Sequence, residues 1–202
     1  MHWRRLDREQ TQSVLTSVTS ADEAGLFSSA TSEVERSVLP FYKTYMAYKV
    51  TNYASLPSFS FQYLGDGEFF HFLDGSSDSI QAVNDKGQLA LDERNIVDYL
   101  GFYFESVGLD DGEECHLIQN PADMPLFESL DESAEIAIIR NHKTPEVTSS
   151  ADLFTVSADL YVDGQVIRAT IEVKRGSGRV SVLDQTMIWN ALGMNNITET
   201  IG

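Results

Sequence analysis

Residues 152–175, DLFTVSADLYVDGQVIRATIEVKR, limit the fold more than any other stretch of this chain. Two runs rich in β-branched and aromatic residues flank Asp163-Gly164, a pair suited to a two-residue type I′ turn because both central residues need positive φ. That turn sets a register in which Val162 faces Gln165 and Asp159 faces Arg168. One face then gathers Phe154, Val156, Ala158, Leu160 and Val162 with Ile167, Ala169, Ile171 and Val173. The opposite face, carrying Thr155, Ser157, Asp159 and Tyr161 with Val166, Arg168, Thr170, Glu172 and Lys174, reads as solvated. Gly176-Ser177-Gly178 turns the chain into a third strand around Arg179–Leu183.

Helical periodicity is clearest over residues 89–108, LALDERNIVDYLGFYFESVG. Ile96, Tyr99, Leu100, Tyr103, Phe104 and Val107 form one stripe, Asp92 suits an N-cap and Gly108 a C-terminal stop. The stripe reads as a core face, with Tyr99 and Tyr103 as the candidates if it lines a ligand pocket. Residues 5–37 carry sparse apolar side chains at roughly helical spacing, which predicts one or two helices broken around Ser20 and Gly25. The segment FYKTYMAYKV (41–50) fits a helix or a strand, with helix preferred because Pro40 can occupy a first turn. The expected organisation is a helical N-terminal segment, 1–40, and one α+β domain, 41–202, ending in a β-meander over 151–184. A mainly antiparallel, curved sheet packed on the aromatic helix looks like the cystatin-like or NTF2-like rolls, an analogy of fold that implies no function.

A second hairpin is expected where SFSFQYL meets EFFHFLD. With Asp66-Gly67 as a two-residue turn, Phe61 faces Phe72, Tyr63 faces Phe70 and Gln62 faces His71. A three-residue turn over Gly65–Gly67 instead sets His71 opposite Phe61. The first register keeps the aromatic face uniform and is preferred.

Charge is segregated. The chain carries a net −17. Residues 65–135 hold 18 acids against only Lys86 and Arg94, a local net of −16, whereas residues 136–202 hold seven acids and six bases. Such a middle third should repel nucleic-acid phosphates and favour basic partners or cations, and its other reading is a solvated, solubilising surface. A hydrophobic fraction of 42% supplies a core. No apolar run approaches the roughly 18–20 residues that span a bilayer. The opening MHWRRLDREQTQ lacks the apolar centre of a secretory signal, and Cys115 is the single cysteine, so a reducing, cytoplasmic setting is expected.

Two stretches carry chemistry in principle. IEVKRGSG resembles the E-x-K element of PD-(D/E)xK nucleases, with Glu172 and Lys174 in the matching positions. That family holds a divalent cation between an Asp and the Glu, and its Lys polarises water. Asp159 is the obvious partner, but the hairpin register leaves it four residues from Thr155, the residue facing Glu172, or roughly 13 Å. Asp152 is nearer, but falls on the opposite face unless a bulge intervenes. LDGSSDS resembles the start of a metal-dependent adhesion site, with Asp74, Ser76 and Asp78 as oxygen ligands. That family ends the motif in Ser where this chain has Asp78, and it needs a parallel α/β sheet. The alternative is a loop in which Ser76 or Ser77 caps a short helix.

No nucleophile elbow, phosphate loop or H-E-x-x-H zinc motif is present, and His2, His71, His116 and His142 lack ligand spacing. Glu113-Glu114 and Asp110-Asp111 read as solvated loop acids. Of the acid–histidine candidates only His71 stays in question. GDGEFFHFLDGSSDSI followed by DYLGFYFESV resembles a group of uncharacterised bacterial proteins over the middle third, which supplies no activity. The sequence is thus expected to encode a non-enzymatic ligand- or protein-binding domain with an acidic surface and no cofactor. The alternatives are an E-x-K nuclease and an acidic inhibitor or immunity-like protein. A small molecule or a basic protein is the expected partner, and a homodimer is left open.

Overall fold

The computed structural model describes residues 1–19, 26–109 and 113–190. It is mixed α and β, with two mainly antiparallel sheets where the sequence implies one. The chain packs as two units, Met1–Tyr99 and Leu100–Gly202, and the division falls inside a helix. The expected break around Ser20 and Gly25 lies outside the described residues, as do Asp110 and Asp111. No described helix is long and apolar enough to cross a membrane.

In the first unit, strands β1 (Arg4–Arg5), β2 (Ser32–Val38), β3 (Met46–Asn52), β4 (Phe59–Gly65) and β5 (Phe70–Phe72) form a sheet in chain order. Helix α1 (Arg8–Thr19) lies on it, started by the Asp7 carboxylate, which accepts from Gln10 N–H at 2.8 Å. Val14, Leu15 and Val18 bury against Val34, Tyr48, Val50 and Tyr63, with Leu6 and Phe27 completing the core. Residues 32–38 and 46–52 correct the helical expectation. Glu33 and Glu35 flank buried Val34 with period two, and Glu35 stands across from Lys49, bonded to it at 2.7 Å. Cross-strand charge pairing and the buried positions Tyr48 and Val50 outweigh the weak helical spacing.

Helix α2 (Asp78–Asn84) follows, then α3 (Ile96–Val107). The Asp92 carboxylate accepts from Arg94 and Asn95 N–H at 2.8 and 3.1 Å, one turn ahead of α3. Gly108 (φ 79°) ends the helix, donating its N–H to Phe104 O. Ile96, Tyr99, Leu100 and Phe104 are buried as expected. Phe102, outside the expected stripe, is buried too, and Tyr103 is only half-buried.

In the second unit, β6 (Cys115–Ile118), α4 (Glu132–Asn141), β7 (Glu146–Ser149), β8 (Leu153–Val162), β9 (Gln165–Lys174) and β10 (Val180–Asn190) appear in that order. The sheet runs β10-β9-β8-β6, and β7 pairs with β8 farther along the edge that β6 occupies. The β8–β9 register is the expected one, with Val162 facing Gln165, Asp159 facing Arg168 and Thr155 facing Glu172. Positive φ at both Asp163 (44°) and Gly164 (82°) matches a type I′ turn. Strand β10 extends well past Leu183, with irregularities between Val182 and Asp184 and between Met187 and Trp189.

The supposedly solvated face of the hairpin is only partly so. Near the turn, Tyr161 and Val166 are buried in a cluster with Ile118, Met124 and Ile138 of α4, with Phe127, Leu130 and Trp189 packed against it. An extra layer, α4 and the 3-10 turns before it, covers that end. Thr155, Ser157, Thr170 and Glu172 at the far end are half-exposed.

Candidate functional site

Strand β6 sits beside β8, Cys115 facing Val162 and Ile118 facing Asp159. After it the chain turns through a 3-10 turn, Pro121–Asp123, whose first residue cannot donate an N–H and is suited to a turn start. Asn120 caps that turn, its carbonyl oxygen accepting from Ala122 N–H at 3.4 Å and its amide donating to the Asp123 carboxylate at 3.3 Å. Between strand and turn lies an open recess of about 300 Å³, lined by residues 116–120 together with Asp123 and Met124. Of the lining residues, Ile118 and Met124 are buried. His116 is bonded to the Glu114 carboxylate through Nε2 at 2.8 Å, and its ring stands 6.4 Å from that of Tyr161. Asp123, held by the Asn120 amide, is the one carboxylate among the lining residues, and His116 brings its Glu114 partner beside it. No lysine or arginine occurs between residues 95 and 135.

Beside it in chain order but facing inward is Cys115. Burial, then the Glu113 carboxylate, pushes its thiol up to about 12. A thiolate is accordingly scarce at neutral pH, and Cys115 behaves as a small core residue.

A second polar cluster lies within the same unit. Asp159 is fully buried, and its carboxylate accepts from Arg168 Nε (2.9 Å) and Nη2 (3.2 Å), from Lys143 N–H (2.9 Å) and bonds His142 Nδ1 (3.0 Å). Arg168 also donates to Asn141 O at 2.8 Å. These bonds tie the end of α4 to the hairpin. With its oxygens filled by four donors, Asp159 is a structural carboxylate.

In the first unit, His71 on β5 faces Leu64, two positions from the expected partner Gln62. Phe72 faces Tyr63 and Phe70 faces Gly65, so every pair slips by two and the aromatic face survives, with Phe72 ring centroids 5.2 Å from Phe61 and 5.5 Å from Tyr63. The turn explains the slip. Its centre is Gly67 (φ 101°) and Glu68, Asp66 N–H donates to Phe69 O, and the Asp66 carboxylate accepts from Glu68 and Phe69 N–H at 3.0 and 2.9 Å. Burial raises the Asp66 pKa, but those N–H groups win and hold it below the usual carboxylate range.

His71 Nε2 lies 2.8 Å from Lys86 Nζ, and Lys86 also reaches the buried Tyr45 hydroxyl at 3.4 Å. An ammonium can only donate, so His71 Nε2 accepts and the ring proton sits on Nδ1. Burial and then Lys86 depress the His71 pKa, against a smaller pull from Asp66.

The other sequence candidates stand apart. Glu172 is half-exposed between Thr155 and Ser181, Lys174 is exposed at the end of β9, and Asp152 is an exposed loop residue whose carbonyl accepts from Arg175 N–H. Asp74 is exposed. Bonds from the Ser76 hydroxyl and N–H hold its carboxyl below the usual range. Asp78 opens α2, where Ser77 takes the N-cap position without a side-chain bond. Tyr99 is fully buried, its hydroxyl receiving Asn84 Nδ2 at 3.3 Å while Tyr42 donates to Asn84 Oδ1 at 2.8 Å. Burial, then Tyr99, pushes the Tyr42 hydroxyl pKa far up. Tyr103 is half-buried with its ring edge-on to Phe104. Among the described residues no three His, Cys, Asp or Glu side chains converge on a metal-sized site.

Sequence reasoning missed the recess, because its members carry no motif. The signal available was the turn-forming Asn120-Pro121 beside a strand in the stretch without lysine or arginine. No protein family, curated protein or solved structure matches the chain.

Proposed function

We propose that this protein is a non-enzymatic binding domain whose acidic middle third meets a basic partner, with the recess beside β6 receiving a cationic side chain. The single observation that carries the reading is the placement of Asp123 on that recess, within a segment without lysine or arginine. All 16 described acids of residues 65–135 support it: Glu135 is half-buried and the other 15 are exposed. A lysine or arginine stem would lie on Met124 and Ile118 while its head meets Asp123. The acidic-inhibitor alternative is a variant of the same chemistry, in which the basic partner is an enzyme.

The long β8–β9–β10 meander supports a cystatin-like or NTF2-like roll for the second unit, and the lone buried Cys115 supports a cytoplasmic setting. A salt series tests the proposal. A lysine- and arginine-rich peptide should bind the full chain with affinity that falls steeply between low and physiological ionic strength, and a peptide of scrambled composition lacking bases should not bind. Salt-indifferent binding, or none, overturns it.

A further inference from the structure

Strand β10 is the last strand on its side of the second sheet among the described residues. It is 11 residues long, VSVLDQTMIWN, with Asp184 its one charged side chain and neither lysine nor proline. Soluble proteins ordinarily guard such edges with lysine, proline or bulges. Here the two irregularities leave an in-register run between them, Asp184–Met187 against Thr170, Ala169, Arg168 and Ile167. Residues 183–187 are all exposed, Leu183 by 56% and Met187 by 53%. An exposed, nearly uncharged strand of this kind offers backbone donors and acceptors to another strand.

Charge decides which strand. The chain is at −17, and residues 65–135 hold nearly all of it. Basic partners are drawn to that third, and a second copy of this chain is repelled by it. Strands β9 and β10 carry Arg168 and Lys174 against Glu172 and Asp184, so this edge is locally neutral and lets two copies approach with little repulsion. We propose that β10 is a homodimer interface, two copies pairing antiparallel about a two-fold axis between Gln185 and Thr186. That centre sets Asp184 opposite Met187 of the second copy and keeps the two Asp184 carboxylates from facing each other. Each sheet continues into its twin. This interface is independent of the recess and of the basic-partner reading.

The test uses the full chain in sedimentation equilibrium over a concentration series at low and high salt, alongside hydrogen exchange. Three results are expected. The mass rises to that of a dimer; dimerisation strengthens with salt, as the repulsion between acidic copies is screened; and amide protection over residues 182–187 grows with protein concentration. Gln185→Lys with Met187→Lys should weaken dimerisation at least tenfold, even though the added positive charge lowers the overall repulsion. Leu56→Lys, at a residue 99% exposed in the first unit, should leave it unchanged. A monomer at every concentration overturns the proposal. So does a dimer that weakens with salt, or one whose β10 protection ignores concentration or the lysine substitutions. The exchange measurement on the unmodified chain decides the matter even if the double variant does not fold.

Discussion

Two hairpins of this protein turn beside an Asp-Gly pair, and they turn differently. At Asp163-Gly164 both residues adopt positive φ and form the centre of the turn. At Asp66-Gly67 the centre moves one residue on, to Gly67-Glu68, and every cross-strand pair shifts by two. The dipeptide thus permits a small set of registers, and the strands select among them. In the β8–β9 hairpin, two ten-residue strands and the pairing of buried Asp159 with half-buried Arg168 fix the choice. In the β4–β5 hairpin, β5 is three residues long, and a slip of two keeps its aromatic face intact. Gly65 lets the chain take the register that the turn sets. A Cβ on it would stand 2.5 Å from Phe70 Cδ1 and 2.9 Å from Phe69 O, so only glycine lets the Phe70 ring lie across it.

The sharpest way to break this comparison is to remove the charge pair. Asp159→Ala leaves Arg168 Nε and the Lys143 N–H without their acceptor, with Asn141 O the remaining partner of Arg168, and should cost about 3–5 kcal/mol. Urea unfolding followed through Trp189, in a Trp3→Phe background, measures it. A loss below about 1 kcal/mol would mean that the long strands alone hold the register. Gly65→Ala should cost less, about 1–3 kcal/mol, because one of the atoms that must move is a backbone carbonyl. Its cross-strand NMR contacts should leave the Phe70–Gly65 pairing. An unchanged register would show that the Asp66 turn bonds dominate instead.

The smallest effect concerns His71. Its folded pKa lies below the ordinary 6.5, so the unfolded chain binds the proton more tightly. The contribution of neutral His71 to stability is therefore complete above about 6.5 and is lost as pH falls through the depressed value. His71→Gln should flatten the stability profile of the first unit in that window. If the profile keeps its slope, the Lys86–His71 bond is not its source.

How much of this was legible in the sequence follows from the same physics. The β8–β9 register could be read because turn chemistry, alternation and the Asp159–Arg168 pairing agree within one local stretch. The C-terminal stop of α3 was legible in Gly108 for the same reason, whereas Asp92 caps the turn before the helix instead of its first residue. Strands β2 and β3 were not, since their evidence is the pairing of Glu35 with Lys49 across sequence, which a single-strand pattern does not contain. The burial of Asp159 and Tyr161 was hidden because α4 arrives from elsewhere in the chain to cover a face that reads as polar. The recess was hidden likewise, as a 3-10 turn and a strand come together with no motif between them.

The most direct test of the account is to titrate isotope-labelled full-length protein with the lysine- and arginine-rich peptide at low salt and to follow backbone amides by NMR. The account predicts the largest shifts over residues 116–124, lost on raising the salt, with Asp123→Asn weakening binding several-fold while the fold is kept. Shifts confined to other surfaces, or an Asp123→Asn protein that binds as tightly as the original, would contradict it.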